Sequence, residues 1–146
     1  AKEGRQMSFV RNILLFSILI TSTYAMAKGD LAIRAKKLEL KLGSEKSDYE
    51  MSQKIFEMET GKAYRLEISS MGFKEYEIEA EDFFRNIWVR GIEVKGIEID
   101  TPVINEIELE REGEIEIKFV PIRPGEYEFE IEGLQSKGMK GMFIVR

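Results

Sequence analysis

Met139-Lys140-Gly141-Met142 is the constellation in this chain whose residue types and spacing best suit chemistry. Two thioethers close together bind soft ions such as Cu(I). Methionine is also the ordinary adaptable filler at the edge of an apolar core, and that packing role stands beside the metal-binding one. Met51, Met58 and Met71 are isolated in sequence, which favours packing. A second set is acidic: Glu75, Glu77, Glu79, Glu81 and Asp82 form the densest run of carboxylates, a donor type that holds hard cations through oxygen. Alternating glutamates are equally the solvated face of a strand. Phe83, Phe84 and Trp88 form an aromatic cluster, expected as a plug between two sheets rather than an exposed patch.

What is missing narrows the chemistry further. The 146 residues include neither histidine nor cysteine. No thiolate metal site, no disulfide and no nucleophile–base pair can be assembled, and the commonest general base is lost. Glutamate pairs are plentiful, but a short chain without cleft-forming insertions is not expected to be an enzyme. With 22 basic and 27 acidic residues the net charge is −5, so neither nucleic acid nor an anionic membrane surface is an expected partner.

The elements that must position these residues begin after a leader. Arg11 precedes the apolar run Ile13 to Ile20, and Ala25-Met26-Ala27 offers small residues at the two positions a signal peptidase reads. The run is shorter than the ~20 residues that span a bilayer. Residues 1–27 are therefore expected to be upstream residues and a signal peptide, with a mature form that is periplasmic or secreted and not embedded in a membrane.

Residues 28–50 are ambiguous. Leu38, Leu40 and Leu42 alternate as in a strand, while Leu31, Ala35, Leu38 and Leu42 fall at helical spacing, so this part is expected to be a linker or a loosely packed first strand. From residue 51 to 146 the grammar is that of short strands and turns. Tyr64, Leu66 and Ile68 share one face; Tyr76 and Ile78 alternate with glutamates; Ile92 to Val94, Ile97 to Ile99 and Ile107 to Leu109 follow. If Arg111-Glu112-Gly113 closes a hairpin with Gly113 left-handed, Leu109 faces Ile115 and Ile107 faces Ile117. That register sets Glu106 against Lys118 but Glu108 against Glu116, an unfavourable pair. Ile115, Ile117 and Phe119, then Tyr127, Phe129 and Ile131, are two further half-buried strands. Pro124-Gly125 between them suits the centre of a type II turn, at a hairpin or a sandwich corner.

Pro124-Gly125-Glu126-Tyr127-Glu128-Phe129 followed by Gly138-Met139-Lys140-Gly141 resembles the C-terminal signature of the cupredoxin family, over roughly residues 54–146. The resemblance implies an all-β antiparallel Greek-key sandwich, cupredoxin-like, as one domain over 51–146. It also implies that Ile131 stands where the family carries its cysteine ligand, Lys74 where it carries its first histidine, and Met139 where it carries its methionine. The loop between Phe129 and Met139 holds no histidine. The family's blue-copper electron transfer is therefore not expected, and no cofactor is expected unless it is Cu(I). The function implied is an exported, non-enzymatic accessory module in periplasmic copper or iron handling, with a periplasmic or membrane protein as partner. One alternative is a Cu(I) carrier using Met71, Met139 and Met142, gathered at the end of the sandwich where cupredoxins keep their metal. Another is a purely structural interaction domain.

Overall fold

The computed structural model describes residues 34–72, 74–99, 101 and 103–146. The expected leader lies outside the described residues. Ten strands form: β1 (Lys36–Leu42), β2 (Ile55–Met58), β3 (Tyr64–Ser70), β4 (Tyr76–Glu79), β5 (Ile87–Val94), β6 (Ile97–Ile99), β7 (Glu106–Leu109), β8 (Gly113–Pro121), β9 (Gly125–Ile131) and β10 (Lys140–Val145). A single helical turn, α1 (Glu81–Phe84), follows β4, and a 3₁₀ turn spans Gln135–Lys137. Period-two burial decides most of these elements: β3 buries Tyr64, Leu66, Ile68 and Ser70, and β9 buries Tyr127, Phe129 and Ile131.

Two five-stranded sheets face each other, the first in the order β1-β3-β8-β5-β6 and the second in the order β2-β10-β9-β4-β7. This is the expected cupredoxin-like sandwich. Its sheets are mixed, because β1 runs parallel to β3 and β2 runs parallel to β10. Residues 43–54 carry the chain from the edge of one sheet to the edge of the other, which sets both strands beside later neighbours.

Over Lys36–Leu42 the alternation of leucines prevails over the helical spacing. The strand is not loosely packed. Leu40 and Leu42 are fully buried, and Leu38 lies opposite Leu66 in the ladder, so β1 shares the core of residues 51–146. Burying a leucine is worth about 1.5–3 kcal/mol, enough to order a strand of ambiguous local preference.

Arg111-Glu112-Gly113 does not close a hairpin. β7 pairs with β4, Tyr76 opposite Leu109 and Ile78 opposite Ile107, while β8 lies in the other sheet between β3 and β5. Leu109 and Ile107 therefore do not face Ile115 and Ile117, and Gly113 opens β8 without a left-handed φ. An apolar alternation fits any partner of the same period, so it does not distinguish a hairpin from a crossover between sheets.

Pro124-Gly125 makes the sandwich corner between β8 and β9. Gly125 lacks the positive φ of a type II turn. Its glycine has another cause: a Cβ there would come within 2.9 Å of the Tyr127 ring, whose hydroxyl donates to the Arg123 carbonyl at 2.9 Å.

The core is aromatic. Phe83, from α1, stacks on Phe143 at 4.1 Å and meets Phe119 edge-on at 5.6 Å, so it joins the two sheets. Phe83 and Phe84 are buried as the plug reading expects. Trp88 is not part of the plug: Ile87 and Val89 take the inward positions of β5, leaving Trp88 51% exposed on the outer face.

Candidate functional site

The turn residues 43–54, 71–72, 74–75 and 132–139 meet at one end of the sandwich. Tyr76, first residue of β4, passes its hydroxyl to the Asp48 carbonyl at 2.7 Å and lies against Gly43, which has a φ of 75°. Below it Ile131 pairs with Ile78 and is fully buried. The Ile131 amide donates to the Met139 carbonyl at 2.9 Å, and Met139 is also fully buried in the apolar cluster. Gly138 turns the chain into β10 with a φ of 84°. Lys74 and Lys137 both approach the Tyr49 ring, at 5.6 and 5.3 Å from its centroid.

These positions test whether a cupredoxin copper fits. Position 131 offers only hydrocarbon, position 74 offers an amine set over an aromatic ring, and the chain supplies no imidazole or thiol. The donor set of a type 1 site is not there. Among the described residues no group of three or more Asp or Glu side chains is arranged to hold a metal ion.

The three candidate methionines are placed differently. Met139 faces inward with Phe143 and Val145. Met142 lies on the opposite face of β10, across from Glu128 and Ile55, where it lines a cleft of about 350 Å³ with Lys54 and Lys140. Met71 is 46% exposed beyond β3 and lines another cleft, of about 680 Å³, with Lys41, Ser69 and Glu112. Met139 and Met142 are thus separated by the sheet, and Met71 and Met142 open onto different surfaces.

The second sheet carries a feature that only part of the sequence pattern announced. Glu126, Glu128 and Glu130 lie on β9 with Glu132 just after it, Glu77 and Glu79 on β4 with Glu75 just before it, and Glu106 and Glu108 on β7 with Glu110 just after it. Glu77 faces Glu108, and Glu79 faces both Glu106 and Glu130. A shared hydrogen bond with Glu132, burial and the surrounding negative charge push Glu77 up to about 7. Glu108 is raised chiefly by its hydrogen bond with Glu75, and Glu79 chiefly by burial, with Glu132 and Glu130 adding to it. Glu81 and Asp82, counted in the same run by sequence, leave this face and open α1.

The first sheet is arranged otherwise. Lys37 bonds Glu67 at 2.9 Å, Lys118 bonds Glu93 at 3.2 Å, and Arg65 lies 3.6 Å from Glu116. The i+2 spacing of glutamates in three strands is readable from sequence; that the three strands are neighbours is not, because the apolar alternation of β7 fits β8 as well as β4.

No protein-family model and no curated protein matches the sequence. Solved structures do. A variant of the multicopper oxidase from the hyperthermophile Aquifex aeolicus aligns with a TM-score of 0.56 at 13% identity, covering 77% of this chain and 29% of that one. The Campylobacter jejuni multicopper oxidase gives 0.51 at 9% identity, covering 81% and 31%. Auracyanin from the photosynthetic bacterium Roseiflexus castenholzii gives 0.48 at 20%, covering 78% and 99%. The chain thus spans less than a third of either oxidase. The likeness is one of fold: this is a cupredoxin-like β-sandwich that lacks the type 1 copper ligands. Among the described residues no helix is long and apolar enough to cross a membrane.

Proposed function

We propose that the protein is an exported, non-enzymatic cupredoxin-like module that serves periplasmic copper or iron handling by binding a protein partner, without a blue-copper site of its own. The observation that carries this reading is the end of the sandwich itself. Ile131 and Met139, at the cysteine and methionine positions of the resemblance, are both fully buried in the apolar core, and Lys74 and Lys137 lie over Tyr49 above them. The end that holds metal in the family it resembles is here a packed end with a basic and aromatic surface, suited to contact rather than electron transfer.

Metal titration of the purified protein tests the reading. Cu(II) is expected to give no intense blue absorption, since that band requires a thiolate ligand. In competition with a Cu(I) chelator, Met139→Leu is expected to change nothing. A blue band, or Cu(I) affinity abolished by that substitution, overturns the proposal in favour of a copper carrier. Cell fractionation tests the export step: the protein is expected outside the cytoplasm with its chain starting at Lys28.

A further inference from the structure

We propose that the outer edge of β1, which pairs with no other strand among the described residues, is a dimerisation surface: two copies pair antiparallel about a twofold axis at Leu38, with Lys37 of each copy opposite Glu39 of the other. The backbone supplies the first argument. In a parallel pair alternate residues turn both backbone groups to the same side. The Lys36 amide donates to the Ala63 carbonyl on the β3 side, whereas Lys41 exchanges bonds with Ser52 on the outer side, its amide donating to the Ser52 hydroxyl at 2.8 Å and its carbonyl accepting from the Ser52 amide at 3.0 Å. By this parity Lys37 and Glu39 present their N–H and C=O groups to the outside. The only described contact there is a long one, 3.5 Å, from the Ser52 hydroxyl to the Glu39 carbonyl. A register centred on Leu38 makes Lys37 and Glu39 the two hydrogen-bonded pairs of an antiparallel ladder, joined by four backbone bonds.

Charge supplies the second. Edge lysines ordinarily discourage pairing. Here Lys37 is neutralised within its own chain by Glu67 at 2.9 Å and Glu39 at 3.9 Å, so the edge presents an alternating rather than a uniform charge. The Leu38 register sets unlike charges opposite each other twice. Centring on Glu39 instead would oppose Lys37 to Lys41 and Glu39 to itself.

The third argument is the seam beneath the edge. A cleft of about 560 Å³ runs between β1 and β2, lined by Leu38, Gln53 and Ile55 among others, with Ile55 57% exposed. Each copy brings the same apolar residues to the shared seam. Ser52 closes the edge at Lys41, which confines the ladder to residues 36–40. A ladder of five residues per copy is a small contact, so the dimer is weak and concentration-dependent.

Sedimentation equilibrium over a wide concentration range reads the association directly. The wild-type protein is expected to dimerise, while Lys37→Glu and Glu39→Lys, each of which opposes like charges, are expected to weaken self-association at least tenfold. Mixing the two variants restores unlike pairs and is expected to give a heterodimer. A protein that stays monomeric at the highest attainable concentration overturns the proposal, as does a dimer indifferent to the swaps or a mixture that fails to associate. The unmodified protein provides an independent reading should a variant fold poorly. Amide exchange at Lys37 and Glu39 is expected to slow with rising concentration, and concentration-independent exchange there counts against the edge.

Discussion

Glu77 lies opposite Glu108 in the β4–β7 ladder, and its carboxyl also shares a hydrogen bond with Glu132, in the turn that follows β9. Two carboxyl groups can share such a bond only if one of them holds a proton. Folding therefore raises the affinity of this face for protons, to about 7 at Glu77 and upward in the same direction at Glu79 and Glu108. The folded state binds more protons than the unfolded chain between the ordinary carboxylate pKa of 4.5 and about 7. Stability should fall as pH rises through that window and be greatest below it, as far as these groups decide it. Thermal melts from pH 4.5 to 8 at low ionic strength check this. Added salt and Glu77→Gln should each flatten the dependence.

Phe129 and Glu128 test which face of β9 is the core. The Phe129 ring packs 4.7 Å from Phe143 and 6.0 Å from Phe56, so Phe129→Ala should cost about 3–5 kcal/mol. Glu128→Ala on the acidic face should change stability by less than about 0.5 kcal/mol. Urea denaturation of the two variants distinguishes them, and equal sensitivity would reverse the assignment of faces.

Gly141 is expected to be among the least replaceable positions. A Cβ there would collide with the Lys54 carbonyl oxygen, which accepts from the Met142 amide, and come within 2.5 Å of the Phe129 ring. Neither neighbour can yield without breaking β2–β10 pairing or shifting the core, so Gly141→Ala should lose about 1–3 kcal/mol or more. Gly133→Ala is the control: with a φ of 71° and nothing within 4 Å of the added carbon, it should cost about 1–2 kcal/mol through backbone strain alone.

At the corner, Tyr127→Phe removes the hydroxyl that bonds the Arg123 carbonyl and leaves the ring in place. A loss of about 0.5–1.5 kcal/mol in chemical denaturation is expected. An unchanged midpoint would mean that ring packing alone holds the corner.

Strand positions from Lys54 onward were largely legible, because Tyr64, Leu66 and Ile68 or Tyr127, Phe129 and Ile131 announce a half-buried strand by themselves. Partner choice was not. Leu109 pairs as well with Ile115 as with Tyr76 on apolar pattern alone, and no local signal marks the crossing from one sheet to the other at Arg111 to Gly113. β1 was obscured for a related reason: its leucines satisfy two periods, and only burial against β3 decides between them. At the candidate site the residue types at 74 and 131, and a loop without histidine, already argued against a type 1 copper, with Met139 alone matching the family's ligand. The facing glutamates of β4 and β7 became visible only with the strand order.

The parallel pairing of β10 with β2 also bears on how the chain reaches its fold. Ile55 cannot find Met142, nor Met58 Val145, until the last strand is available, since these partners stand near opposite ends of the described chain. Sheet closure is a long-range loop closure whose entropy is lost before its contacts are gained, which places folding among the slower, high-contact-order cases, in milliseconds to seconds. Until β10 inserts between β2 and β9, Phe56 and Phe129 lack Phe143 as their common neighbour. A chain shortened by its final strand is left with two unmatched edges and an open aromatic core, a species more inclined to aggregate than to wait.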